Sequence, residues 1–147
     1  RDIETQNWHS AVNSMDRLKY YKVFKSSLNK EKYVDIIDKE QMAALTNFRC
    51  NSLPLRALTG YMYEKIPREN CICLICHSKE IEDEYHFFLE CPAFRDLRCT
   101  ILPRFLYVQP SKLKFTEYLK MSTEPTLRII TTYLNEALKK RATIISK

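Results

Sequence analysis

The chain reads as a small, mainly α-helical domain, and three observations point that way. Glycine occurs once in 147 residues, at Gly60, whereas sandwiches and tight-turned barrels need many residues that tolerate positive φ. Apolar residues recur at helical spacing over several stretches. The prolines stand where helices start or stop, at 54, 67, 92, 103, 110 and 125. Hydrophobic residues make up 45% of the chain and aromatics 12%, enough for a packed core and too many for wholesale disorder.

In chain order, the spacing predicts an amphipathic helix over 17–28, with Leu18, Tyr21, Phe24 and Leu28 on one face and Lys19, Lys22 and Lys25 beside them. A short apolar piece at 32–37 suits either helix or strand. A helix over 39–51 buries Met42, Leu45 and Phe48 and is limited by Pro54. Residues 55–63 form a further short helix or a connector, and Pro67 opens a turn. Cys91 and Pro92 start a helix that runs to about Leu102 and stops near Pro103. Pro110 and Ser111 open another over 112–121. Thr123 caps the last helix, with Pro125 in its first turn. Leu127, Ile130, Leu134, Ala137/Leu138 and Ile144/Ile145 follow its apolar face.

The single glycine excludes glycine-rich phosphate loops, because neither GxGxxG nor a Walker A sequence is present. The longest uncharged stretch, residues 5–15, is polar and far shorter than a membrane span of about 18 apolar residues. No signal peptide is recognised at the start, and the lack of an initiator Met reads as a fragment of something longer. The expected location is intracellular, nuclear or cytoplasmic. Net charge is +6, unevenly spread: residues 71–103 carry 3 basic and 6 acidic side chains, and residues 104–147 carry 9 and 3. The basic C-terminal end suits phosphate or an acidic partner.

Chemistry concentrates in the Cys-rich middle. Cysteines stand at 50, 71, 73, 76, 91 and 99, and histidines at 9, 77 and 86. Cys73-x2-Cys76-x9-His86-x4-Cys91 has the spacing of a tetrahedral zinc site, since a CxxC turn aims two sulfurs at one point. His86 and Cys91 are five apart. On one continuous α-helix they would differ by about 140° in azimuth, so the backbone must change course between them. Cys71 and His77 are alternative ligands for neighbouring positions. Residues 79–83 form the return of a turn, and Tyr85, Phe87, Phe88 and Leu89 pack under the metal. The acidic run 80–84 reads as solvated. Arg68, Lys79 and Arg95 are candidate cations to offset the three thiolates. Cys50 and Cys99 read as core thiols and His9 as a surface residue. Disulfides, a redox CxxC and inert buried thiols fit less well, because the chain is long, lacks a leader and shows no βαβ pattern. Four ligands close a site and mark it as structural, whereas catalytic zinc keeps a position for water. The deaminase order HxE…PCxxC is absent, and no enzymatic activity is expected.

Residues 47–56 (NFRCNSLPLR), Gly60-Tyr61, Pro67-Arg68-Glu69, the CxxC and the stretch 80–98 (EIEDEYHFFLECPAFRDLR) resemble the C-terminal zinc-binding region of invertebrate non-LTR retrotransposon polyproteins. The likeness spans about residues 8–104 and is strongest over 47–98, although Cys50 stands where such sequences often have Gly. It implies a CCHC zinc finger downstream of a reverse transcriptase, with one structural Zn²⁺ on Cys73, Cys76, His86 and Cys91. It also implies a role on template RNA or target DNA. The chain has no YxDD polymerase motif, and no PD…(D/E)xK nuclease pattern follows Cys91.

The expected organisation is one compact domain of three segments: 1–70 helical, 71–98 metal-binding and 99–147 basic and helical. The expected partner is RNA or single-stranded DNA, held by Lys139, Lys140 and Arg141 with Lys19, Lys22 and Lys25 as a second patch. The polymerase domain of a parent protein is a further expected partner, and a docking role without nucleic acid is the alternative. Tyr61, Tyr63 and Tyr107 read first as core aromatics and second as platforms for unpaired bases.

Overall fold

The computed structural model describes residues 3–7, 10, 39–50, 52–121 and 123–146. The stretches predicted at 17–28 and 32–37, with Lys19, Lys22, Lys25 and His9, lie outside the described residues. Within them the protein is mainly helical, as its composition requires. The helices are α1 (Lys39–Arg49), α2 (Arg56–Glu64), α3 (Arg95–Ile101), α4 (Arg104–Val108), α5 (Lys112–Lys120) and α6 (Glu124–Ile145), joined by short 3₁₀ turns at Arg68–Asn70 and Pro92–Phe94. The β pairing among the described residues is limited to one antiparallel bridge, Ile72 to Ile81.

The 22-residue α6 is the spine, packed against α1 and α3. It buries Leu127, Ile130, Thr131, Tyr133, Leu134 and Ala137. The predicted stripe holds as far as Leu138. Beyond it Ile144 is half-buried and Ile145 is exposed. Thr123 is at the N-cap position, but its hydroxyl donates to Thr126 Oγ1 instead of accepting a backbone N–H. Ser111 does cap α5, its Oγ accepting from Lys114 N at 3.1 Å. The five-residue α4 is too short to show a period, and it starts directly after Pro103.

Phe88 is at the centre of the core. Its ring lies 5.0 Å from Tyr133, 5.3 Å from Phe48 and 5.6 Å from Phe115, in tilted and edge-on arrangements. Such pairs add about 0.5–1.5 kcal/mol each beyond area burial. The aromatics at 85–89, expected to form a small mass under the metal, are therefore the middle of the main core. Gly60 is needed where α2 meets the Cys71 segment: a Cβ there would lie 2.9 Å from Cys71 Sγ.

Two surface expectations are corrected. Tyr61 and Tyr63 are 61% and 78% exposed, so they are not core residues, whereas Tyr107 packs against the core edge. Cys99 is exposed, because α3 turns it away from α6.

Candidate metal centre

The site is a knuckle followed by a π-type turn. Its first half is extended: Cys73 N donates to Glu80 O at 2.8 Å, and Glu82 N donates to Cys71 O at 3.1 Å. Between these bonds the chain reverses through Cys76, His77, Ser78 and Lys79. With no glycine there to take up the turn, His77 and Lys79 adopt left-handed backbone, φ 56° and 66°, at a cost of about 1–2 kcal/mol each.

The second half starts with a cap that the spacing argument did not anticipate. Asp83 Oδ1 accepts from His86 N at 2.9 Å, the bond an N-cap aspartate makes to the third residue of a helix. The chain then enters a π turn over His86–Glu90, closed by Cys91 N donating to His86 O at 2.7 Å. This resolves the five-residue spacing. A π turn closes over five residues instead of four, so His86 and Cys91, which an α-helix would splay apart, come to the same side. Pro92 ends the turn because it has no N–H to continue the ladder.

The result is a four-donor cluster. The Sγ atoms of Cys73, Cys76 and Cys91 and one ring nitrogen of His86 all lie within 4.8 Å of one another. Cys76 Sγ is 3.3 Å from His86 Nε2. Cys73, His86 and Cys91 are buried, and Cys76 is half-buried. Cys71 is excluded, because its Sγ points to the carbonyls of Ile66 and Pro67 at 3.8 and 3.5 Å. His77 is excluded because it is exposed at the outside of the turn. His86 Nδ1 is buried without a hydrogen-bond partner, and the Glu90 carboxylate is 4.0 Å from it. A carboxylate hydrogen-bonded to that nitrogen orients a ligating imidazole, and at 4.0 Å Glu90 is short of that contact.

Side chains of the cluster shift one another's proton affinities. Burial lowers the His86 pKa, but hydrogen bonds with Cys73 and Cys76 outweigh it and lift the imidazole to about 9. Hydrogen bonding from Cys91, reinforced by His86, holds Cys73 far below the usual thiol range. The bond to Cys73, together with burial, pushes Cys91 well above that range. Of that pair Cys73 takes the negative charge and Cys91 keeps its proton. The four side chains could hold a metal ion.

Three buried charged residues around the cluster were not picked out from sequence. Arg98 is 5% exposed, and its Nε and Nη2 donate to Phe88 O and Cys91 O at 3.1 and 2.8 Å. Of the expected compensating cations, Lys79 and Arg95 are exposed and Arg68 is half-buried, so Arg98 is the one buried against the cluster. Glu82 and Glu84 are 1% and 3% exposed, which corrects the solvated reading of run 80–84 at those two positions, whereas Glu80 is exposed. Glu82 Oε1 accepts from Arg56 N at 2.6 Å, capping α2 from a distance. The same carboxylate takes a two-pronged bond from Arg141, Nε to Oε2 at 2.8 Å and Nη2 to Oε1 at 2.6 Å.

That bond bears on the expected nucleic-acid contacts. The Arg141 side chain is 12% exposed and engaged in the interior, whereas Lys139 is 76% exposed and pairs with Glu136 at 3.6 Å. Lys140 is half-buried. Compared with family profiles, curated proteins and solved structures, the chain gives no match.

Proposed function

We propose that this protein is a structural-zinc module that binds single-stranded nucleic acid and has no catalytic activity of its own. The observation that carries the metal part is the convergence of three sulfurs and one imidazole nitrogen within 4.8 Å. A tetrahedron with Zn–S near ~2.3 Å has edges of about 3.8 Å, so small side-chain adjustments suffice. Soft thiolates with one imidazole favour Zn²⁺ over the oxygen-seeking cations. Cys73, Cys76, His86 and Cys91 would be the ligands. Three thiolates on a divalent ion leave a formal charge of −1, and the Arg98 guanidinium against the Cys91 carbonyl is placed to offset it. Four protein ligands leave no open position for a reacting water, which supports a structural role.

The nucleic-acid part rests on the net +6 charge and on the resemblance to the region downstream of retrotransposon reverse transcriptases. A second reading, a docking domain for a parent polymerase, is favoured by the exposed Tyr61, Met62 and Tyr63 on α2. Metal analysis of reduced protein and the thiolate charge-transfer bands of a cobalt(II)-loaded sample test the site. Titration of the zinc-loaded chain with single-stranded RNA and DNA at several salt concentrations tests the function. One zinc per chain and salt-sensitive binding are expected. Absence of zinc refutes the first part, and absence of binding at low salt refutes the second and favours docking.

A further inference from the structure

Beside the metal cluster, where the end of the π turn meets α3 and α4, lies an open cleft of about 630 Å³. Its wall carries Arg95, Arg98 and Arg104, opposed by the single carboxylate of Glu90, and it also includes Tyr107 and Cys99. Three features set it apart from an ordinary solvated face. Arg98 is buried, and it donates to two carbonyls with no carboxylate partner among the described residues, which fixes its position in the wall. Arg95 and Arg104 are exposed, and neither forms an ion pair among the described residues. Tyr107 packs its inner side on the core edge and borders the cleft with the rest.

We infer that this cleft seats one nucleotide of a single strand, its phosphate between Arg95 and Arg104 and its base against Tyr107. The inference rests on the nucleic-acid reading above and gives it a location. Guanidinium forks match phosphate oxygens two at a time, and the buried Arg98 holds the wall between them in place. The volume lies in the roughly 300–1,000 Å³ range of small-ligand sites. An unstacked base fits such a concavity, whereas the bases of a duplex are not accessible to an aromatic side chain. The cleft also communicates with the metal centre. Arg98 holds the Cys91 carbonyl, and Glu90 faces His86 Nδ1, so the metal-binding turn fixes the wall against which the nucleotide lies.

The test uses the zinc-loaded full chain with oligo(U), oligo(dT), a duplex of equal length and poly-glutamate. The double variant R95A/R104A changes only exposed side chains, and circular dichroism verifies its fold. Both arginines hold one phosphate, so its loss in R95A/R104A lowers the salt slope by about 0.7, which is about fivefold in affinity at 0.1 M relative to 1 M salt. R128A, on the exposed face of α6, is the control and should change binding less than twofold. Cys99, exposed on the cleft wall, is a native reporter: bound oligonucleotide should protect it from alkylation in the parent chain and not in R95A/R104A. A halogenated-uracil oligonucleotide should crosslink to the peptide carrying Tyr107. The cleft is refuted while the nucleic-acid reading stands if oligonucleotides bind and R95A/R104A binds as tightly as the parent. It is refuted equally if R128A weakens binding as much, or if the duplex or poly-glutamate protects Cys99 as well as the single strands do. Absence of binding by every oligonucleotide overturns both readings.

Discussion

Replacing Glu82 by alanine should destabilise the protein more than any single surface change. Glu82 is 1% exposed and Arg141 keeps 12% of its side chain in contact with solvent, so the pair is largely removed from water. The carboxylate accepts three hydrogen bonds of 2.6–2.8 Å, one from Arg56 N and two from Arg141. The alanine variant leaves the guanidinium buried without its counter-charge and the first turn of α2 without its cap. Removing one partner of a buried pair costs about 3–5 kcal/mol, a large share of the roughly 5–15 kcal/mol that holds a domain together. At about 2–4 °C per kcal/mol for a chain near this length, the midpoint should fall by about 6–20 °C.

The assay is thermal and urea unfolding of zinc-loaded protein, completed as a double-mutant cycle with R141A. A coupling of about 3 kcal/mol or more is expected for a close, two-pronged pair. The comparison variant is E124A, which breaks the Glu124–Arg128 pair, where both partners are more than half exposed; such pairs are worth about 0–1 kcal/mol. If E82A unfolds no earlier than E124A, or if the cycle shows no coupling, the reasoning is wrong. The same pair bears on function. At a temperature where R141A is still folded, its affinity for single strands should stay within about twofold of the parent, because Arg141 is occupied by Glu82.

Cys76→Ser should abolish stoichiometric zinc and leave at least residues 71–95 unprotected in hydrogen exchange, because forming such a site is coupled to folding; retained zinc and protection would contradict the ligand assignment. Two identical swaps should have opposite signs. Tyr133→Phe removes the 2.9 Å bond to Phe88 O and should cost about 1 kcal/mol, whereas Tyr118→Phe removes a buried hydroxyl that has no partner and should be neutral or stabilising in denaturant titrations. Burial raises Tyr118 from 10.0 to about 12, so its contribution is complete below the unfolded value near pH 10 and is lost as pH rises through 12. Tyr118→Phe should therefore lessen the alkaline loss of stability, as read from unfolding at stepped pH. Lys65 ends α2 in left-handed backbone, φ 58°, and Lys65→Gly should gain roughly 0.5–1 kcal/mol on removal of that strain, measurable as a raised midpoint.

Local signals made much of the fold legible. Helical spacing placed α1 and α6, prolines 92 and 103 marked the ends around α3, and Ser111 announced α5. The four donors were legible for the same reason, since ligand spacing is a short-range pattern. Misreadings came where the deciding partner lies outside the residue's own helix or turn. Glu82 reads as a solvated charge until Arg141, 59 residues on, closes over it. Arg98 reads as an ordinary helix residue until the carbonyls of the π turn face it. One local signal went unread: Asp83, three residues before His86, is a helix-capping pattern, and it would have shown how the imidazole is fixed.

The π turn also explains why the metal site and the core form one unit. In an α-helix the carbonyl of Phe88 would be filled by the N–H four residues on. That residue is Pro92, which has none. A buried carbonyl left open is costly, and two distant side chains fill it. Tyr133 OH donates from α6 at 2.9 Å, and Arg98 Nε donates from α3 at 3.1 Å. Arg98 then continues to the carbonyl of Cys91, one of the four donors. The proline that stops the turn beside Cys91 thus frees the carbonyl that ties the metal-binding segment to α3 and α6. The same turn carries Phe88 into the centre of the aromatic core. Disorder in the turn would release the carbonyl, the ring and the arginine together, so the geometry of the metal centre and the packing of α6 should form and dissolve in one step.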